Sequence, residues 1–156
     1  MKILVTGGCG YVGSVLVPHL LVNGHQVVVL DPQWFGRGFL PEHNEYLKLV
    51  NGTILDDSVL QEAMKGSTAV IHLAGMTNND ECEKNPREAE AINQSAFESL
   101  IRIAHHFEVK RFIFPSSAAA YGNSHKRLGE DEPLQPTTPY GKYKAACEAM
   151  LQVSKL

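Results

Sequence analysis

Four glycines lie close together near the start of the chain, in the stretch VTGGCGYVGSVLVPHLL. Gly8, Gly10 and Gly13 have the spacing Gly-x-Gly-x-x-Gly, between a short apolar run and an apolar-rich segment with helical spacing. Small residues at such a turn let the backbone approach a pyrophosphate, and the N-terminus of the following helix favours its negative charge. The stretch therefore predicts a dinucleotide-binding turn rather than a tight strand–helix turn without a ligand.

A carboxylate follows at the position that this turn requires. Asp31 comes at the end of the next apolar run, about 20 residues further on, where it can accept hydrogen bonds from an adenosine ribose. It would bind the 2′-hydroxyl of NAD and repel the 2′-phosphate of NADP. Arg37, in the following segment, could pair with that phosphate instead. We predict NAD as the cofactor and keep NADP as the alternative.

The elements that must hold these residues alternate between short apolar runs and helical patterns. We predict strands at 2–5, 26–30, 46–50, 69–73 and 111–115. We predict helices at 14–22, from a cap at Asp57-Ser58 to 65, from Pro86 to about 107, and from Tyr140 onward. The segments 78–86 and 116–139 are predicted to be loops. Buried strands that alternate with helices indicate an α/β fold, a doubly wound parallel sheet of the Rossmann type.

Composition excludes several classes of function. The chain has 156 residues, 44% of them hydrophobic, and a net charge of −3 without a basic run, so nucleic acid is not an expected partner. No apolar run is long enough for a membrane span, and the N-terminus lacks a signal-peptide pattern, so we expect a cytoplasmic protein. Cys9, Cys82 and Cys147 are widely spaced and the histidines lack ligand spacing, so no metal or disulfide framework is expected.

The chain resembles the extended short-chain dehydrogenase/reductases, and within them the NAD-dependent nucleotide-sugar epimerase/dehydratase family. The resemblance covers essentially all of the chain and rests on landmarks that occur in order. They are TGGCGYVG near the start, Asp31, HLAG at 72–75, Asn93, PSSAAAYG at 115–122 and YGKYK at 140–144. It implies an NAD cofactor and a nucleotide-sugar substrate.

The resemblance also implies which residues contact the cofactor. Asn93 would fix backbone and water near the nicotinamide. Thr53 stands where the family often has an Asp on the adenine amino group, so this contact would lose its charge. The implied cofactor-binding residues are Gly7, Gly10, Tyr11, Val12, Gly13, Asp31, Thr53, Ile54, Leu73, Ala74, Gly75, Asn93, Tyr140 and Lys144.

Ser117, Tyr140 and Lys144 are the catalytic residues that the resemblance implies. Tyr140 and Lys144 are four residues apart and share one face of a predicted helix. The ammonium and the positive nicotinamide ring favour phenolate, so we expect the pKa of Tyr140 to lie below its reference value of about 10. Tyr140 would take a proton from a sugar hydroxyl as C4 gives a hydride to NAD. Ser117 would hydrogen-bond the same oxygen.

Two alanines narrow the reaction. Ala118 and Ala119 follow Ser117, where the dehydratase branch of the family carries an acid pair and the decarboxylating branch carries a Glu. Alanine has no group for acid–base chemistry, so dehydration and decarboxylation are disfavoured. We predict C4 epimerisation. The alternatives are reduction of a 4-keto sugar and, from another class, a dinucleotide-binding module without turnover.

Family members carry a C-terminal lobe that binds the nucleotide-sugar. We expect residues 1–156 to form the NAD(P)-binding domain alone, cut within the helix that carries Tyr140 and Lys144, with the substrate domain absent. Members usually dimerise through this helix and the one before the fifth strand, which predicts a homodimer. The apolar positions at helical spacing on these helices are Phe97, Ile101, Ala146 and Met150. The alternative is that all of them face their own sheet.

Overall fold

The computed structural model describes residues 1–156, and a parallel five-stranded sheet organises its first part. The strands are β1 (Lys2–Thr6), β2 (Gln26–Asp31), β3 (Leu47–Asn51), β4 (Ala69–His72) and β5 (Arg111–Ile113). Their order across the sheet is β3-β2-β1-β4-β5. The chain thus adds strands outward from β1 in one direction and then in the other. The prediction of a doubly wound parallel sheet is confirmed.

The central strands are buried because their residues are apolar on both faces of the sheet. Val5 on β1 pairs in register with Val29 on β2 and with Ile71 on β4. The helix α1 (Gly13–Val22) packs Val17 and Leu21 into the same cluster as these three residues. Strands covered on both faces require such continuous apolar runs, which is why their positions could be predicted.

A second helix beside the sheet, α2 (Asp57–Met64), has its N-cap one residue before the predicted cap. The N-cap is Asp56, whose carboxylate accepts hydrogen bonds from the backbone N–H groups of Ser58 and Val59. The prediction of a cap at Asp57-Ser58 is therefore wrong in register. Three contacts to Ser58 and Val59 hold the pKa of Asp56 below its usual value, first among them the hydrogen bond from the Ser58 side chain.

The chain consists of two compact units. The first contains residues 1–74, 99–114 and Leu156, and it includes the whole sheet. The second contains residues 75–98 and 115–155. It is built around α6 (Pro139–Ser154), against which α3 (Asn79–Lys84) packs. None of the helices combines the length and apolar character that a membrane-spanning helix needs.

The structure contradicts one prediction for the helices around Asn93 and refines another. The segment 78–86, predicted to be a loop, contains α3, because Asn78 caps it by accepting the N–H groups of Asp80 and Glu81. The long helical run predicted from Pro86 is confirmed in extent, but it consists of α4 (Pro86–Glu90), a π-helical segment (Ala91–Ser95) and α5 (Ala96–His106). Such π-helical turns concentrate at functional sites, and this one carries Asn93.

Candidate functional site

The glycine turn after β1 has no room for side chains at two positions. Gly7 has a φ of +72°, and a Cβ there would lie 2.6 Å from the backbone N of Ala74. A Cβ on Gly13 would lie 2.4 Å from the carbonyl oxygen of Gly8. Glycine at Gly7 therefore brings the turn against the residues that follow β4, and glycine at Gly13 brings α1 against the turn.

The N-terminus of α1 is open to an anion. Its N-cap, Val12, makes no side-chain hydrogen bond to the first turn, and no acidic residue lies in that turn. The side chains of Tyr11 and Val12 are exposed. Helix N-termini carry unsatisfied N–H groups and a partial positive charge, so a pyrophosphate would complete this end of the helix.

Asp31 joins the glycine turn to the loop after β2. It is 8% exposed, Oδ2 accepts the N–H of Cys9 at 3.0 Å, and Oδ1 accepts the N–H of Gln33 at 2.7 Å. A carboxylate has about four acceptor sites, so capacity remains for ribose hydroxyls. The tight turn, the uncapped helix and this buried carboxylate fit the adenosine and pyrophosphate of NAD.

A buried polar pair, not predicted from the sequence, fixes the ends of the two central strands. The hydroxyl of Thr6 lies 2.7 Å from Nδ1 of His72, and it also accepts the N–H of Ala74 at 3.4 Å. The His72 ring stacks on Phe114 with centroids 6.1 Å apart. Thr6 ends β1 and His72 ends β4. The pair therefore joins the ends of the two neighbouring strands between which the order of strand addition reverses. The adjacent Leu73 is half-buried.

The two residues expected at the adenine differ in exposure. Thr53 is exposed, and its hydroxyl accepts the N–H of Leu55 at 3.2 Å, whereas Ile54 is 6% exposed. The Thr53 hydroxyl keeps its own hydrogen as a donor. The cofactor contacts predicted for Thr53 and Ile54 stay predictions, and the buried side chain of Ile54 also packs in the core.

In the second unit, the side-chain amide of Asn93 binds the backbone of Met76 through both its oxygen and its nitrogen. Oδ1 accepts the N–H of Met76 at 2.8 Å, and Nδ2 donates to the carbonyl of Met76 at 2.9 Å. A Cβ on Gly75 would lie 3.0 Å from Oδ1 of Asn93, so glycine permits this approach. Asn93 therefore fixes the backbone that follows HLAG.

Tyr140 and Lys144 lie in the first two turns of α6. The Lys144 Nζ lies 5.6 Å from the centroid of the Tyr140 ring and donates a hydrogen bond to the carbonyl of Pro115 at 2.8 Å. Thr138 caps this helix by accepting the N–H of Gly141, and Pro139 occupies the first turn. The helix thus begins one residue before the predicted start, and Tyr140 lies in its first turn.

The pKa of Tyr140 is shifted opposite to the prediction. Burial, with a smaller contribution from Cys82, raises it above 10.0. Burial also lowers the pKa of Lys144, against which Cys147 and Glu148 act to raise it. Burial dominates at both residues, because desolvation disfavours the charged form of each. Tyr140 is a phenol at neutral pH in this structure.

Ser117 lies at the start of a 3₁₀ turn (Ala118–Tyr121) and caps it by accepting the N–H of Ala119 at 3.2 Å. This turn packs directly on the start of α6. A Cβ on Gly141 would lie 2.4 Å from the carbonyl oxygen of Ala119, and one on Gly122 would lie 2.0 Å from that of Gln135. Glycine at Gly141 therefore brings the turn carrying Ser117 against the helix carrying Tyr140, and glycine at Gly122 brings it against the loop before that helix. Sequence reasoning did not single out either glycine.

Two buried cysteines surround Asn93. The Cys147 thiol donates to the Asn93 carbonyl at 3.1 Å, and the Cys82 sulfur lies 3.9 Å from Nδ2 of Asn93. Burial raises the pKa of Cys147 to about 12 and also raises that of Cys82. Both are therefore neutral thiols that act as small packing residues and weak hydrogen-bond donors.

A family model described as the NAD dependent epimerase/dehydratase family matches residues 3–155. The chain belongs to this family. The family is NAD-dependent, which confirms NAD as the cofactor predicted from the glycine turn and Asp31. The resemblance predicted from the ordered landmarks is confirmed as well.

Known relatives agree with this membership. The UDP-glucose 4-epimerase of Halalkalibacterium halodurans is 38% identical over 96% of this chain and 45% of its own length. The structure of Thermus thermophilus UDP-glucose 4-epimerase with NAD superposes with a TM-score of 0.89, at 30% identity, over 98% of this chain and 50% of that one. The Thermotoga maritima UDP-glucose 4-epimerase with UDP-glucose gives 0.90 at 30% identity, over 99% and 51%.

The chain therefore spans about half the length of the relatives it matches. The positions named for a homodimer differ in exposure within this half. Phe97 is fully buried, so it cannot contribute to a surface between subunits. Ile101, Ala146 and Met150 are half-buried, which leaves part of each side chain accessible.

Proposed function

We propose that this chain is the NAD-binding half of a nucleotide-sugar 4-epimerase. The observation that carries the proposal is that Tyr140 and Lys144 lie in the first two turns of α6, against which the turn carrying Ser117 packs. The two residues after Ser117 are Ala118 and Ala119, which supply no acid for dehydration. UDP-glucose 4-epimerases among the relatives support a uridine diphosphate sugar as the substrate.

NAD, when bound, supplies the acceptor and the later donor of a hydride at C4 of the sugar. The residues proposed to hold it are those of the glycine turn, the N-terminus of α1, Asp31 and the segment Leu73–Gly75. Asn93 contributes indirectly, because it fixes the backbone at Met76.

Tyr140 is the residue that transfers the proton of the sugar 4-hydroxyl. In the phenolate form, its Oη takes the proton of the 4-hydroxyl as C4 is oxidised to a ketone, and the resulting phenol returns the proton when C4 is reduced from the opposite face. Ser117 donates a hydrogen bond to the same oxygen, which gains negative charge when its proton leaves. The ammonium of Lys144 opposes the cost of forming phenolate that burial imposes on Tyr140.

The chemistry is tested in the full-length protein with UDP-glucose, by separation of the 4-epimers. Tyr140→Phe should lower kcat by about 10²–10⁴-fold with NAD affinity unchanged, since only the proton-transferring hydroxyl is lost. Ser117→Ala should have a smaller effect, because one neutral hydrogen bond is removed. Lys144→Met should impair both turnover and NAD binding. Wild-type turnover in Tyr140→Phe would rule out the assignment.

A second experiment separates epimerase from the alternatives. The 156-residue chain alone should bind NAD in a calorimetric titration without epimerising UDP-glucose, because nothing in it is assigned to the sugar nucleotide. In the full-length protein, reduction of a 4-keto sugar by added NADH without interconversion of epimers would favour a ketoreductase. NAD binding with neither reaction would favour the non-catalytic module.

A further inference from the structure

A third residue extends the row formed by Tyr140 and Lys144 on α6. Glu148 follows Lys144 by four residues, as Lys144 follows Tyr140, so the three side chains lie on one face of the helix. The Ser116 hydroxyl donates a hydrogen bond to Oε1 of Glu148. The spacing was readable from the sequence, but the partner of Glu148 was not.

Two adjacent turns of α6 thus hold two consecutive residues of the chain. Lys144 Nζ binds the carbonyl of Pro115, and Glu148 binds the side chain of Ser116. The next residue is Ser117, which has extended backbone angles (φ −152°, ψ 146°) and caps the 3₁₀ turn. The segment that enters the turn is therefore tied to the same helix that carries Tyr140.

The charge of Glu148 also acts on Lys144. Burial lowers the pKa of the Lys144 ammonium, and Cys147 and Glu148 oppose this shift. Burial raises the pKa of Cys147 to about 12, so this thiol is neutral and supplies no charge to Lys144. The titratable groups that neighbouring elements direct at α6 act elsewhere. Cys82 of α3 acts on Tyr140, Glu90 of α4 on Tyr143 and Glu98 of α5 on Cys147.

We propose that Glu148 is a positioning residue of this site. It anchors Ser116, and thereby the backbone at Ser117, to α6. Its carboxylate lies one helical turn from Lys144, where a negative charge favours the ammonium. The proposal rests on the proposed function of Ser117, Tyr140 and Lys144. Glu148 itself is given no contact with substrate or cofactor.

Three variants of the full-length protein separate the two effects. Ser116→Ala removes the hydrogen bond and keeps the charge, Glu148→Gln keeps an acceptor oxygen and removes the charge, and Glu148→Ala removes both. Glu88→Gln is the matched control, because Glu88 is an exposed glutamate on α4. The readouts are kcat and KM for UDP-glucose, NAD affinity by calorimetry, thermal unfolding, and the pH profile of kcat.

We expect Glu148→Ala and Ser116→Ala to lower kcat by up to about 10²-fold, because small displacements of a catalytic group have effects of this size. KM and NAD affinity should change little. A double variant with both Ser116→Ala and Glu148→Ala should have the same kcat as Glu148→Ala alone, since both substitutions remove the same contact. Glu148→Gln should recover much of the loss at neutral pH. Its activity should nevertheless fall at a lower alkaline pH than that of the wild type, because Lys144 loses a stabilising charge.

Wild-type kcat in Glu148→Ala, or an unshifted alkaline limb in Glu148→Gln, would overturn the proposal. If Glu148→Ala unfolds, the folded Glu148→Gln and Ser116→Ala variants still decide it. Tyr140→Phe measured in parallel distinguishes the two failures. An inactive Tyr140→Phe beside a fully active Glu148→Ala refutes only the role of Glu148, whereas an active Tyr140→Phe refutes the proposed function.

Discussion

The side-chain amide of Asn93 binds the backbone of Met76 through two hydrogen bonds. Its Oδ1 accepts the N–H of Met76 at 2.8 Å, and its Nδ2 donates to the C=O of Met76 at 2.9 Å. One side chain thus binds both the N–H and the C=O of this residue. The backbone from Leu73 to Asn78 lies in no strand or helix, so at Met76 this pair supplies the hydrogen bonds that such an element would otherwise provide.

Replacement of Asn93 by Ala should destabilise the protein. The N–H of Met76 would lose the Asn93 oxygen, and its C=O would keep only the weak hydrogen bond from the Cys82 thiol. An unsatisfied backbone group costs about 1–3 kcal/mol where water cannot replace the partner. We expect the free energy of unfolding, measured by urea denaturation, to fall by an amount in this range. The neighbouring Gln94→Ala is the control and should have a smaller effect. Equal stability of the two variants would contradict the assigned role.

Asp31 should select NAD over NADP. Its carboxylate is held by the N–H groups of Cys9 and Gln33, so it cannot turn away from a 2′-phosphate without breaking them. Calorimetric titration should give tighter binding of NAD to the wild type. Asp31→Asn should weaken NAD binding by about 10- to 100-fold, the usual effect of losing a charged hydrogen-bond partner.

Arg37 supplies the control for that measurement. Arg37→Ala should leave the preference for NAD unchanged if Asp31 decides it. Tighter binding of NADP than NAD to the wild type, with loss of that binding in Arg37→Ala, would instead assign the choice of cofactor to Arg37.

Tyr140 should titrate above pH 10.0 in the chain without cofactor, because burial raises its pKa. A group whose pKa is raised on folding stabilises the folded state below its unfolded pKa, and this contribution is lost as the pH rises through the folded value. The difference in tyrosinate absorbance between the wild type and Tyr140→Phe isolates this titration. A pKa below 10.0 would show that the Lys144 ammonium outweighs burial.

The homodimer remains a prediction that light scattering can test. If α5 and α6 form the interface, Met150→Glu should shift the wild-type dimer toward monomer, because a charge would enter an apolar contact. Gln152→Glu on the exposed side of α6 is the control. A wild-type protein that is monomeric at high concentration would contradict the prediction.

The sheet was predictable because its residues leave few alternatives. Runs such as QVVVL are β-branched and apolar on both faces, and Asn23-Gly24 ends the intervening helix. The glycine turn and Asp31 were predictable for a similar reason, because local spacing determines which residue ends a strand and which begins a helix.

Parts of the second unit were less predictable, because the apolar pattern of a helix is absent from α3 and several contacts join residues distant in sequence. The helix α3 buries only Cys82, so it has no apolar stripe to reveal it. The pKa of Tyr140 depends on burial that spacing does not show. Likewise, the pairing of Ser116 with Glu148 joins residues 32 positions apart, and nothing in either local sequence announces it.

The π-helical segment Ala91–Ser95 makes the length of this helical run part of the site. Such a turn accommodates one more residue than α-helical winding would, and Asn93 lies within it. Deleting a single residue there would rewind the run and rotate the side chains on one side of the deletion by about 100° relative to the other. Asn93 would then point away from Met76 although every amino acid of the landmark motifs remained. Comparison of related chains should therefore show that this stretch varies in residue type far more readily than in length.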